Sequence, residues 1–211
     1  MKAQRIEPGD TNYPQILVEL LSDAAPQVLY LLGDPGILNN PLLGLICSIQ
    51  CPGSIIIKTF DVIRRLRDEK VVMIGGFHSP MERECLDLLL RGAQPVILCP
   101  ARSLRNLRMG KAVRKAIAEG RLLALSPFSD EVRRITSPQA LIRNNMVTAL
   151  AEAVFAPHAS KNGKTWATVC KALESGQKVF TFDDEANSDL IVSGAKANNF
   201  DNLLEEIRSA L

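Results

Sequence analysis

From residue 42 onward the chain alternates short apolar runs with longer amphipathic stretches, and turn residues separate the two. The runs Gly44–Ile49, Val71–Gly75, Pro95–Cys99, Leu122–Ser126, Ala153–Ala156 and Lys178–Thr181 read as strands. They are apolar at successive positions rather than at every second one, the pattern of strands covered on both faces. Between and after them, Ile55–Asp68, Met81–Arg91, Gly110–Glu119, Pro138–Ala151, Thr165–Ser175 and Phe200–Leu211 carry helical spacing. Strands alternating with helices predict successive βαβ units, hence a doubly wound α/β fold with a mostly parallel sheet and helices on both faces. Residues 1–41 break the rhythm. They are rich in Pro, Gly and Asp and hold one helix, Tyr13–Leu21, and one strand, Val28–Leu32. They are expected to form a lead-in packed on the core of a single domain spanning residues 1–211.

Bulk properties narrow the class. Apolar residues make up 46% and aromatics only 5% of 211 residues, so the core must come mainly from Leu, Ile, Val and Ala. A net charge of +2 does not by itself call for nucleic acid. Five cysteines, an odd count at irregular spacing, argue for reduced thiols over a disulfide framework or a zinc site. The start Met1-Lys2-Ala3-Gln4-Arg5 is followed by no apolar stretch, and the most apolar run, Leu42 to Ile57, is interrupted by Pro52 and Gly53. A cytoplasmic protein without membrane association, cofactor or metal is expected.

In a doubly wound sheet, ligands bind beyond the carboxyl ends of the strands. Five loops form that edge. Cys47–Ser54 offers small residues before a helix, either a tight turn or a phosphate cradle. Gly75-Gly76-Phe77-His78-Ser79-Pro80 combines paired glycines, an aromatic ring able to stack on a base, and a histidine that reads most simply as exposed. Pro100–Leu104 leads into Arg102, Arg105, Arg108, Lys111, Arg114 and Lys115, six cations with no intervening acid, either a phosphate stripe or a solvated helix face. Ser126–Asp130 precedes Arg133, Arg134 and Arg143-Asn144-Asn145, which could meet phosphates or base edges. His158–Thr165 ends at a helix start where Gly163, Lys164 and Thr165 converge, although the glycine spacing is not that of a P-loop. No nucleophile elbow, metal-ligand spacing or carboxylate pair points to catalysis.

The order of these motifs resembles that of the DNA processing protein A (DprA/Smf) family from about Asn12 to the C-terminus. Tyr13-Pro14 and Leu29-Tyr30-Leu31-Leu32-Gly33 are similar to that family's lead-in. Ile46-Cys47-Ser48-Ile49-Gln50-Cys51-Pro52 stands in place of its Val-Gly-Ser-Arg motif, with Ile49 where the family has the arginine that faces DNA. Ile74-Gly75-Gly76 stands where it has Ser-Gly-Leu-Ala-Arg-Gly, and the Ala-Arg-Gly part is gone. Arg143-Asn144-Asn145 resembles its Arg-Asn-Arg, Ala159–Thr165 replaces its Ser-Gly-Ser helix start, and Leu190–Ala195 resembles its closing segment.

The resemblance implies a Rossmann-like fold in a divergent bacterial member without the family's winged-helix-like domain. It implies single-stranded DNA binding in DNA processing or recombination, help in loading the RecA recombinase, and a homodimer. On this expectation the protein is a binder rather than an enzyme. Backbone N–H groups at Ser48, Gly53, Gly75 and Gly163, with Gly76, Asn144, Ser160 and Thr165 nearby, hold phosphates; Arg102, Arg143 and Lys164 supply charge and Phe77 a stacking face. The alternatives are a small nucleotide-derived ligand at the same edge, bound or hydrolysed at a phosphoribosyl or glycosidic bond with Glu82 or Glu84 as acid, and an assembly protein whose site has decayed.

Overall fold

The computed structural model describes residues 3–105, 107–198 and 200–211; Met1 and Lys2 of the lead-in, Asn106 and Asn199 lie outside it. Nine strands are present among the described residues: β1 Gln4–Ile6, β2 Leu29–Leu32, β3 Leu42–Leu45, β4 Val72–Gly75, β5 Val96–Leu98, β6 Leu122–Ser126, β7 Ala153–Phe155, β8 Lys178–Phe182 and β9 Lys196–Asn198. They form one sheet in the order β1-β2-β6-β5-β4-β3-β7-β8-β9. Every pairing from β6 to β9 is parallel, while β1–β2 and β2–β6 are antiparallel. The lead-in therefore does more than pack on the core, because it adds two strands at one side of the sheet, with β1 at the edge.

Side-chain alternation along these strands feeds two separate layers. Leu43, Leu45, Met73, Val96, Leu122, Phe155 and Phe180 pack with α2 (Gly53–Asp68), α3 (Pro80–Leu89), α4 (Lys111–Ala118) and α8 (Phe200–Ala210). Leu42, Val72, Ile74, Ile97, Leu123 and Leu125 face the other way, against α1 (Ile16–Leu21) and α5 (Ser137–Leu150). Val154, Ala156 and Val179 meet α6 (Lys164–Glu174) and α7 (Ser188–Val192). Because both faces are covered, apolar residues fill both phases of the alternation, and the expected doubly wound α/β architecture is what the chain adopts.

Three local features differ from expectation. β3 ends at Leu45 instead of continuing to Ile49. The apolar run goes on, but the backbone leaves the ladder: Ile46 N–H still reaches the Phe155 carbonyl at 3.2 Å, and Ile49 turns out to solvent with 73% of its surface exposed. β1 and β9, of three residues each, and the five-residue α7 were not expected, being too short for a periodic signal.

Register sets up the functional edge. Leu45 lies opposite Gly75 and Phe155, Gly75 opposite Leu98, and Leu98 opposite Ala124. The central parallel strands thus end nearly in line, and their following loops share one rim. The β4 loop is fixed by a capping box at the start of α3. Ser79 Oγ accepts the Glu82 N–H at 3.1 Å, and Glu82 Oε2 accepts the N–H groups of Ser79 and His78, both at 3.0 Å. Ser79→Ala should destabilise the protein by about 1 kcal/mol, read by urea denaturation. No change in midpoint would mean that the cap does not hold this loop.

Candidate functional site

In the parallel part of the sheet the chain winds outward from β3 through β4 and β5 to β6, then returns to β7 on the other side of β3. The switch point, where a doubly wound fold commonly opens a crevice, therefore lies between β3 and β7. Here that crevice is latched shut. Ser48 N–H donates to the His158 carbonyl at 3.0 Å, and Ser48 Oγ accepts the Ser160 N–H at 3.0 Å. His158 is itself buried. Its Nδ1 lies 2.9 Å from Asn187 Oδ1 and its Nε2 3.3 Å from Ser160 Oγ. Ser48 and Ser160 are thus brought together, and the Ser48 N–H is spent on a carbonyl and is not turned to a ligand.

Next to the latch, interaction with the neighbouring Cys51 thiol, reinforced by burial, pushes the Cys47 thiol far above its ordinary range, and the same interaction lowers Cys51. Gly53 begins α2 at the exposed rim. Gly163 caps α6 and donates its N–H to the Ser160 carbonyl at 3.0 Å. Lys164 reaches across to the Ser137 hydroxyl at the start of α5, and Thr165 is half-buried beside it. These residues share the rim, and none of them lines the pocket formed by the second and third loops.

A concave feature of this edge sits to the side, beyond β4 and β5. A pocket of about 330 Å³ is lined by the Gly76-Phe77-His78 turn, Leu98, Pro100 to Arg102, Leu107 to Gly110, two residues of α3, one each of α4 and α5, and Ile135 before α5. Arg83, Arg102, Arg108 and Arg143 all line it, and no Asp or Glu does among the described residues. Arg143 is the most buried of them, with 6% of its surface exposed. Its Nη1 donates to the Cys99 carbonyl at 2.9 Å, and its Nε is buried without a hydrogen-bond partner. The guanidinium lies over Gly76 so closely that a Cβ there would stand 1.2 Å from Nη1. Glycine is required at this place by a side chain of α5, not by a backbone twist.

Burial is the main reason the Arg143 pKa falls below the usual arginine value, with Glu82 the leading opposing influence. His78 is held below the usual histidine range by burial first, then by Arg143 and Arg83. Phe77, with φ of 45°, is folded inward and 5% exposed. Its ring forms pocket wall, where the sequence had pointed to an open stacking face. Gly75 gives its carbonyl to the Cys99 N–H at 2.8 Å and closes the β4–β5 end. Asn144 is half-buried on α5, while Asn145 lines a different groove at the far end of that helix. Glu82 is committed to the α3 cap, so it is not an available acid. Within the basic stretch, Arg105 pairs with Asp130 and Lys115 with Glu119, leaving that stretch partly neutralised.

Sequence reasoning missed Arg83 and Ile135 as pocket residues. Arg83 reads as one charge among several on a surface helix, and only the capped turn before α3 brings it to the mouth. Among the described residues no cluster of His, Cys, Asp or Glu is placed to hold a metal, and no helix is long and apolar enough to cross a membrane.

The model of one family, DNA recombination-mediator protein A, matches residues 4–208. The chain belongs to this family. Solved structures agree at the level of fold. DNA processing protein A (DprA) of Streptococcus pneumoniae superposes with a TM-score of 0.81 at 21% identity, over 99% of this chain and 74% of that one. The Helicobacter pylori protein gives 0.82 at 20%, over 99% and 97%. A molybdenum cofactor binding protein from Rippkaea orientalis gives 0.58 at 17%, over 81% of this chain and 96% of that one, so the DprA fold shares its core layout with proteins of other names. No curated protein matches in sequence. The family assignment accounts for the order of loops along the rim. Ile49, which the resemblance in sequence sets against the family's DNA-facing arginine, is an exposed aliphatic side chain, and four arginines line the Arg143 pocket.

Proposed function

We propose that this chain binds single-stranded DNA along the carboxyl-end rim of its sheet, in DNA processing or recombination. The observation that carries the reading is the pocket lined by four arginines and, among the described residues, no carboxylate, set on the rim of a DNA recombination-mediator fold. The Helicobacter pylori relative has a described single-stranded DNA binding mode, which supports the same class of ligand here. Arg102, Arg108 and Arg83 meet the backbone at the pocket mouth, Arg143 charges its interior, and the α6 start at Gly163, Lys164 and Thr165 continues the track towards the latched switch point. Gly53 at the α2 start lies at the far end of that track. Phe77 contributes apolar wall in place of a free stacking platform.

The family resemblance adds three finer elements to this proposal: contact with the RecA recombinase, a homodimer and a cytoplasmic location. Light scattering tests the dimer, and strand exchange with and without the protein tests the recombinase contact. For DNA itself, the decisive measurement is salt-dependent binding of labelled single strands. The logarithm of affinity should fall with the logarithm of salt with a slope of roughly −0.7 per neutralised phosphate, so about −2 to −3 for three or four contacts. Absence of binding at low salt, to short and long strands alike, would remove the proposal.

A further inference from the structure

The pocket differs from a groove for continuous backbone in two respects. Its walls are apolar, with Phe77, Leu86, Leu98, Pro100, Leu107 and Met109 among the lining residues. Its most buried charge, Arg143, has no salt-bridge partner, and its one hydrogen bond goes to a neutral carbonyl. A buried cation without a salt-bridge partner is unfavourable; Glu82, held in the α3 cap, offsets only part of that cost, and a bound anion removes the rest. The planar guanidinium is suited to phosphate oxygens, which it can meet through parallel N–H groups.

Two kinds of DNA phosphate differ in charge and in connectivity. An internal phosphodiester carries one negative charge and must have chain leaving in both directions. A terminal phosphomonoester carries about −1.5 to −2 at neutral pH, as any such ester does, and is followed by chain in one direction only. A cavity of about 330 Å³ lies at the small end of the range that encloses small molecules, so it matches one nucleotide better than a through-running strand. The exposed Arg108 and Arg83 then meet the next phosphate at the mouth.

Resting on the single-stranded DNA reading above, we propose that this pocket seats the phosphomonoester end of a strand, with the phosphate on Arg143 and the terminal nucleoside against the apolar wall. The protein then recognises processed ends and does not treat all positions along a strand alike.

The test compares short oligonucleotides of one sequence carrying a 5′-phosphate, a 3′-phosphate or hydroxyls at both ends, with circular single-stranded DNA as competitor, by fluorescence anisotropy. One phosphorylated end should bind at least about tenfold more tightly than the hydroxyl ends, the size of one charge-assisted contact. Arg143→Met should remove that preference and leave the weaker, salt-dependent binding of the mouth. Ile135→Trp provides a second route: Ile135 is 39% exposed at the pocket, so the indole fills the entrance without deleting a buried charge. It should erase the same preference.

Equal affinity for phosphate and hydroxyl ends, with circular DNA competing as well as linear, overturns end recognition while general strand binding stands. Failure of every strand to bind removes both readings. Deoxynucleoside monophosphates supply the last arm. If they bind as tightly as the phosphorylated strand, the occupant is a free nucleotide and the strand-end assignment is overturned; much weaker binding supports it.

Discussion

Gly76→Ala is expected to lower single-stranded DNA affinity by at least about tenfold and to destabilise the fold by about 1.5–3 kcal/mol, the value of one charged hydrogen bond. An added Cβ would stand 1.2 Å from Arg143 Nη1 and 2.0 Å from Cζ, so the guanidinium must leave its seat. A flexible side chain at the surface would move aside at little cost. Arg143 is buried and tied to the Cys99 carbonyl, so leaving breaks that bond and strands the carbonyl. The two measurements are anisotropy with a labelled strand and urea denaturation. Because Gly76→Ala and Arg143→Met remove the same guanidinium from the same place, the double variant should bind little worse than either single one. Additive losses would mean that Gly76 contributes through its own backbone.

This coupling also shows why part of the site was legible in the sequence and part was not. Arg143 was found because a three-residue motif marks it, and the doubly wound architecture followed from apolar runs such as Leu122–Ser126, which fill both phases of a strand. Other assignments rested on local chemistry and were redirected by contacts from distant segments. Ser48 looked like a free N–H in a loop of small residues. Its partner, the His158 carbonyl, belongs to the loop after β7 and comes into reach only when β7 inserts beside β3. Phe77 looked exposed because it lies between a glycine pair and a polar turn; its positive φ, which no residue pattern there announces, turns the ring inward. Ile46, Cys47 and Ile49 prolonged the β3 pattern because hydrophobicity records burial and does not record where a ladder stops. Ile49 breaks even that rule, since it is apolar and largely exposed. Its exposure gives it no packing role.

The largest loss of stability is expected from Asn187→Leu, on the order of 4 kcal/mol, since it leaves three buried polar groups unsatisfied at about 1–3 kcal/mol each. Asn187 is fully buried. Its Nδ2 donates to the Pro157 carbonyl at 2.9 Å and the Phe182 carbonyl at 3.3 Å. With the amide nitrogen so placed, Oδ1 is the acceptor toward His158 Nδ1, which fixes the proton on that nitrogen and leaves Nε2 to accept from the Ser160 hydroxyl. One side chain thereby orients the loop between β7 and α6, and through the Ser48 bonds it orients the loop after β3. Leucine keeps the branched shape, is somewhat larger, and supplies none of these bonds. The same substitution should raise hydrogen exchange at the Ser48 and Ser160 amides well before global unfolding, because the latch loosens ahead of the strands it joins. A cost below about 1 kcal/mol, or unchanged protection at both amides, would show that the two loops hold each other without Asn187. The rim at the switch point would then owe its shape to strand register and to the Ser48 bonds themselves.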